Sequence, residues 1–431
     1  MTLAIAAAAA ALAVATSSAD ATVGSFSTTG SMNERRQAAV VVKLLDGRVL
    51  VAGGDKDEVG GGTTFLDSAE IYNPATGTFT PTGNMTVARS MAAGVLLPNG
   101  KVFITGGRDT PSGAVNTSEL YNPATGTFTA VPGTMPTATG LWTMAAPTSG
   151  GKVLIVGGFA SSADIYDPTT NSYTASGSMG SSYPTGTLSD LGSGKALIQG
   201  GFGGGPAKVF DISTGLFSSP ANVTTAIRSF PATALLANGK LLLAGGKDFG
   251  AGGSPVIASS QLFDPATNLF STTGSLIDAR EQAFSSILGD GKVLVAGGTD
   301  GYYGTPKASA ELYDPATGTF STTGSMAVAH GSMHGNTAVL LDNCDVLLPG
   351  GWQGTSAPVG SRVIASAEIY DGPAGNCSSS GPTPGPTPGP GPAPDPAPEP
   401  SPSSEPAPGP SPSPRPSNAF TLGGGATRTS N

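Results

Sequence analysis

Charge is what this sequence has least of. Asp, Glu, Lys and Arg make up 11% of its 431 residues, against about 25% in a typical soluble chain. The surface must therefore rest on Ser, Thr, Gly and Asn. The charge present sums to −9. That excludes nucleic acid and anionic membrane as partners, because both select clustered Lys and Arg. Histidine is nearly absent, with only His330 and His334. On a strand these would stand about 13 Å apart on one face, too far for one metal with nitrogen ligands at about 2 Å. On a turn they could converge. No metal, cofactor or catalytic residue is expected. There is no His-Asp-Ser arrangement and no phosphate-cradling Gly loop, because the Gly pairs end strands with no helix following. Long apolar runs are lacking too. Residues 3–14 are Ala-rich but too short for a membrane span. They lead to Ala19-Asp20-Ala21, an A-x-A cleavage pattern, so residues 1–21 read as a secretory leader without its usual basic start.

Cysteine is equally sparse: Cys344 and Cys377. They are either two unrelated thiols or a disulfide, and an exported chain favours the disulfide. Glycine and proline, by contrast, are abundant, at 64 and 37. Proline crowds into residues 381–416, so 378–417 reads as a polyproline II linker or stalk with no means of packing a core. Residues 418–431 form a short tail whose Phe420-Thr421-Leu422 would open a further domain.

Glycine is distributed differently. A Gly pair closes an apolar run seven times: Gly53-Gly54, Gly106-Gly107, Gly157-Gly158, Gly200-Gly201, Gly245-Gly246, Gly297-Gly298 and Gly350-Gly351. The steps between pairs run from 43 to 53 residues, a spacing that signals a repeat architecture. Each repeat reads as four short strands. Asp46-Gly47, Asn99-Gly100, Asn238-Gly239 and Asp290-Gly291 predict two-residue type I′ turns between strands one and two. Strand two is apolar on both faces and should be buried on both. Strand three carries Glu-x-Tyr (Glu70, Glu119, Glu311). A Pro-Ala-Thr-Gly turn then leads to Phe79, Phe128 or Phe320 in strand four. Repeats one to six occupy 33–85, 86–135, 136–179, 180–223, 224–276 and 277–326. Repeat seven, 327–377, lacks a fourth strand, whereas 24–32 (GSFSTTGSM) matches that strand and has no first three. The missing piece of the last repeat therefore lies at the N-terminus.

The Gly pair, the downstream Glu-x-Tyr and the last-strand aromatic resemble the kelch repeat over residues 24–377. The resemblance implies an all-β fold: a seven-bladed β-propeller of four-stranded antiparallel blades, spanning 22–377 and closed by an N-terminal strand in the last blade. In that family an Arg early in strand one and the Glu of strand three help hold the blades. Arg36, Arg89, Arg228 and Arg280 stand 17 residues before their Gly pairs. Gly140 and Tyr183 occupy that place in repeats three and four, His330 in repeat seven, and Lys208 and Gln261 replace Glu. The copper-radical sugar oxidases share the propeller. Their copper takes two His and two Tyr, one cross-linked to Cys, a set this sequence does not reproduce.

The loops after the Gly pairs would emerge on one face of a propeller. They carry Asp248, Asp300, Phe159, Phe202, Phe249, Tyr302, Tyr303 and Trp352, with Trp352 and Tyr302 as the expected anchors. Flat aromatics beside carboxylates suit a sugar-like or polar peptide ligand. Asx turns and rim packing are the competing account of the same residues. The expectation is a secreted or cell-surface, monomeric, non-enzymatic binding module for an extracellular carbohydrate or protein, with no membrane span. The alternative is an extracellular carbohydrate-active enzyme.

Overall fold

The computed structural model describes residues 24–377 except 138–141, 149, 193, 202–204, 223–226, 251–253, 302–303, 333–337, 355–361 and 376. The expected leader, Pro-rich linker and C-terminal tail lie outside the described residues. Seven four-stranded antiparallel sheets follow the seven repeats. In blade one the strands are Val40–Lys43, Val49–Ala52, Ala69–Asn73 and Thr78–Pro81. The first strands of consecutive blades touch in sequence around an axis, and Val339–Leu340 meets Val40–Lys43 to complete the circle. Blade seven takes its outer strand from the N-terminus, as the sequence predicts. Phe26–Thr28 pairs antiparallel with the third strand, placing Phe26 opposite Tyr370 and Thr28 opposite Glu368.

The core lies between blades, which explains why strand two is apolar on both faces. Its side chains alternate in direction. Leu50 and Ala52 pack with Val102, Ile104 and Tyr121 of blade two. Val49 and Val51 pack with Leu341, Leu347 and Ala367 of blade seven. All four are fully buried. The Tyr of strand three meets the Phe of strand four in each full-consensus blade, as Tyr72 and Phe79 do at 4.8 Å between ring centroids.

The turns between strands one and two differ from expectation. Gly47 has φ +81° but Asp46 is not left-handed, and a type I′ turn needs both. Gly47 N–H donates to Leu44 C=O at 3.1 Å and Leu44 N–H to Arg48 C=O at 2.8 Å. This is a type I turn closed by a left-handed glycine. Asp46 serves as an acceptor, its Oδ1 taking the Arg48 N–H at 3.1 Å, so Asp and Asn are selected there for their side-chain oxygen. In blade seven Cys344 holds the left-handed place, at φ +76°. It is bonded to Cys377 with Cα atoms 4.9 Å apart, as the sequence predicts. Replacing both cysteines by Ala should lower stability by about 3–4 kcal/mol through the 33-residue separation it closes. Urea melts of the oxidised wild type and the double variant measure this.

The Gly pairs and the arginines form one device. The second glycine of a pair gives its N–H to the carbonyl of the Arg-position residue in the next blade. Gly54 reaches Arg89, Gly201 Arg228, Gly246 Arg280, Gly298 His330 and Gly351 Arg36, at 2.7–3.1 Å. A Cβ on the first glycine, such as Gly53 or Gly200, would strike that same carbonyl. The guanidinium then turns into its own blade. Arg36 donates to the carbonyls of Gly53 at 2.8 Å and Ser68 at 3.0 Å and pairs with Glu70 at 2.9 Å. The arginine thus joins blades through its backbone and locks its own blade through its side chain.

The irregular repeats modify this device. Arg228 keeps both carbonyls at 2.8 Å, but no ion pair is found for it among the described residues, and burial lowers its pKa to about 10. Tyr183 donates its hydroxyl to Pro206 C=O at 2.7 Å. His330 is fully buried in the arginine's place. Its Nδ1 bonds the Val328 carbonyl at 2.8 Å, and burial pushes its pKa down to about 4. It is a neutral structural imidazole at neutral pH.

Candidate binding face at the propeller axis

Val40 stands opposite Ala52, so each first strand begins where its neighbouring second strand ends. The loops after the Gly pairs and the entries to the first strands therefore share one face. Two residues beyond the Arg position the chain adopts a left-handed turn in six blades: Ala38, Met91, Trp142, Thr185, Phe230 and Gln282, all with φ between 49° and 60°. None is glycine, and such a conformation costs about 1–3 kcal/mol each. The turn aims the backbone along the ring. Met91 N–H donates to Ala38 C=O at 3.0 Å, Phe230 to Thr185 at 3.3 Å, Gln282 to Phe230 at 3.2 Å and Ser332 to Gln282 at 2.9 Å. The strain thus supports a hydrogen-bonded collar passing from blade to blade.

Inside the collar lies a cavity of ≈ 290 Å³, lined in part by Met91, Trp142, Thr185, Thr187, Phe230 and Gln282. Trp142 stands 5.5 Å from Phe159, centroid to centroid, at a 50° tilt. Phe159 is 50% exposed. Together they put a flat apolar surface at the edge of the cavity.

The other expected site residues are placed differently. Trp352 is only 3% exposed and packs against Val363. The second strand of blade seven runs through its Gly pair as Val346–Trp352, which draws the indole into the fold and away from the role of exposed anchor. Asp248 is buried and its Oδ1 accepts the N–H groups of Ile227 at 3.2 Å and Gly250 at 2.8 Å. Asp300 is exposed and its Oδ1 accepts the Thr305 N–H. Both carboxylates organise their own loops. Phe249 is half-buried, with the Lys247 ammonium 5.6 Å from its ring centre. Tyr302, Tyr303, Phe202 and His334 lie outside the described residues. Trp142, Phe230 and Gln282 are what the sequence reading missed. Their one signal is a fixed place two residues after the Arg position.

One carboxylate of this face is out of balance. Glu281 is fully buried and neither oxygen has a hydrogen-bond partner. Desolvation raises its pKa from 4.5 to about 7, opposed only by the charge of Lys247. The fold therefore prefers the protonated acid. Its contribution is complete below the unfolded value near 4.5 and is lost as pH rises through about 7. Glu281→Gln should raise stability at pH 8 by about 3 kcal/mol and leave it little changed at pH 4.5. Denaturant melts across that pH range check this; a pH-independent difference would contradict it.

The Kelch motif family matches residues 35–86 and 283–327, which lie in the blade-one repeat and the blade-six repeat of the ring just described. The chain is a kelch-repeat propeller. No curated protein sequence matches it. Among solved structures, a fungal alcohol oxidase of the AA5 family in complex with copper aligns with this propeller at a TM-score of 0.65 and 20% identity. The alignment covers 82% of this chain and 77% of the oxidase. That likeness carries the fold alone.

The described residues of the kelch propeller do not fit a copper-radical site. Cys344 and Cys377 are bonded to each other, so neither is free to cross-link a tyrosine. The hydroxyls of Tyr72, Tyr121, Tyr313 and Tyr370 are hydrogen-bonded to Thr29, Thr82, Thr273 and Thr323 at blade junctions, at 2.8–2.9 Å. Among the described residues no group of three or more His, Cys, Asp or Glu comes together as metal ligands.

Proposed function

We propose that this kelch propeller is a non-enzymatic, monomeric binding module working outside the cell, and that it takes a carbohydrate or protein ligand on the collar face. The observation that carries the reading is the Trp142–Phe159 pair, with Phe159 half-exposed at the edge of a cavity. An aromatic held out to solvent on a rigid scaffold costs little entropy to bury under a ligand. The disulfide supports an oxidising destination, and no helix of the described residues is long and apolar enough to cross a membrane. Residues 1–21 would direct export and 378–417 would space the propeller from whatever anchors it.

Glycan and peptide arrays probed with wild type, Trp142→Ala and Phe159→Ala test the proposal. Phe159→Ala should lose at least tenfold in binding, about 1.4 kcal/mol, with its melting temperature unchanged. Binding that survives both substitutions would place the ligand elsewhere. Metal analysis of the same protein separates the enzyme alternative: one tightly bound copper per chain would overturn the non-enzymatic reading.

A further inference from the structure

Blade three has the shortest way round from its Gly pair to strand three. Only Phe159, Ala160 and Ser161 lie between Gly158 and the strand that opens at Ser162. Blade six uses residues 299–309 for the same connection. The collar face is therefore low over blade three. Phe159 stands there 50% exposed, with Trp142 against one side at 5.5 Å. The chain leaving strand four runs alongside. Met179 N–H donates to Ser161 C=O at 2.7 Å and Tyr183 N–H to Gly158 C=O at 3.0 Å. Ser178 Oγ donates to Ser161 C=O and accepts the Gly180 N–H, both at 3.1 Å. Ser161, Ser178 and Gly180 are exposed. The ring is thus edged by a fixed, solvent-facing rim of hydroxyls and backbone.

Charge and apolar area narrow the partner. Residues 168–189 contain no Asp, Glu, Lys or Arg. Blade three holds only three charged side chains. Lys152 and Asp167 pair at 3.1 Å, where strand two begins and strand three ends, away from the collar face. Asp164 is fully buried. In blade four Lys208 donates to Ser219 Oγ at 3.0 Å, beside the outer strand. An anionic ligand over Phe159 would meet no cation of blade three and a chain of net charge −9, so nothing repays its lost hydration. A protein partner needs about 800 Å² per side around several buried anchors. Among the described residues of blade three, Phe159 is the one exposed large apolar side chain. A single flat ring among serines is too little for that, but it suits the C–H face of a sugar.

We infer that the blade-three sector of the collar face is a landing surface for an uncharged polysaccharide. One sugar stacks its C–H face on Phe159, and hydroxyls along the chain exchange hydrogen bonds with Ser161, Ser178 and Gly180. This rests on the binding-face reading above. It narrows the ligand from carbohydrate or protein to a neutral carbohydrate chain held without ion pairs.

Binding of the full chain to immobilised glucan, mannan and galactan, alongside polygalacturonate and a sulfated galactan, tests it. At least one neutral polymer should bind, at least tenfold more tightly than either anionic one. Its affinity should change less than twofold between about 50 and about 500 mM NaCl, because no exposed charge pair is involved. Phe159→Tyr keeps the ring and should keep the affinity. Phe159→Leu keeps apolar bulk without the flat face and should lose at least tenfold; it stands as the probe where Phe159→Ala lowers the melt. Preference for an anionic polymer, a tenfold loss in salt, or wild-type affinity in Phe159→Leu would each overturn the inference. So would the failure of every neutral polymer to bind. If peptides bind the arrays through Phe159 while no neutral polymer binds, the polysaccharide falls and the binding face stands. If array binding ignores both Phe159→Ala and Trp142→Ala, the face itself falls.

Discussion

Deleting residues 24–32 should lower the melting temperature by about 5–10 °C or more. The deletion removes Phe26, whose ring lies 4.9 Å from that of Tyr370, and Met32, which is 4% exposed. It also removes the ladder from Phe26 to Thr28 and the bond from Met32 N–H to Ala365 C=O at 2.8 Å. Buried Met32 at about 2–3 kcal/mol, half-buried Phe26 at about 1–2 kcal/mol and several hydrogen bonds at about 1 kcal/mol each sum to well over 5 kcal/mol. For a ring spanning residues 24–377, an unfolding entropy of about 2.1 cal/mol/K per residue makes each kcal/mol worth about 1–2 °C of melting temperature. Blade seven would also be left with an open edge, a template for aggregation. A rescue separates closure from mere loss of residues. Gly24 N–H already meets Asp371 C=O at 2.8 Å. Moving residues 24–32 to follow Asp371 through a Pro-Ala-Thr turn should restore the melt. An unchanged melt after the deletion would show that the ring does not depend on this strand.

The second large effect separates two arginines that occupy equivalent places. Arg89→Met should cost about 3–5 kcal/mol. It strands the buried Glu119 carboxylate, paired at 3.2 Å, and the carbonyls of Gly106 and Thr117. Arg228→Met should cost about 1–3 kcal/mol, the penalty of leaving the carbonyls of Gly245 and Ser259 unpaired. Its own blade has no strand-three carboxylate to strand, because Gln261 stands where blades one, two, six and seven have Glu. The neighbouring buried Asp248 keeps its N–H bonds from Ile227 and Gly250, and the variant removes a buried cation whose ionisation is already disfavoured. Urea melts of the two variants should therefore differ by about 2 kcal/mol. Equal losses would mean that the Arg–Glu pair adds nothing beyond the carbonyl bonds.

The ring was legible because its signals are covalent in spacing and repeated. The Gly pairs, the Glu-x-Tyr strand and the displaced GSFSTTGSM segment each specify backbone geometry or burial in every blade. The disulfide followed from two cysteines and an exported chain. Turn type was misread because Asp and Asn suit both a left-handed corner and an Asx acceptor, and only the φ values distinguish them. The collar was invisible for a different reason. Its positions hold Ala, Met, Trp, Thr, Phe and Gln, so residue type carries no signal; the left-handed φ is imposed by hydrogen bonds between blades. Trp352 was read as a loop residue because every other second strand ends before its Gly pair. Asp248 and Asp300 fell to the alternative that short polar side chains always carry, their own backbone.

The most direct test of the binding face uses the two tryptophans. Trp142 lines the cavity, whereas Trp352 is 3% exposed in the core. Acrylamide quenching is measured with and without a glycan or peptide identified on the arrays, in wild type and in Trp142→Phe, which reports Trp352 alone. The ligand should sharply reduce quenching in the wild type and change nothing in Trp142→Phe. A ligand that binds the wild type while Trp142 remains as open to acrylamide as before would contradict the account.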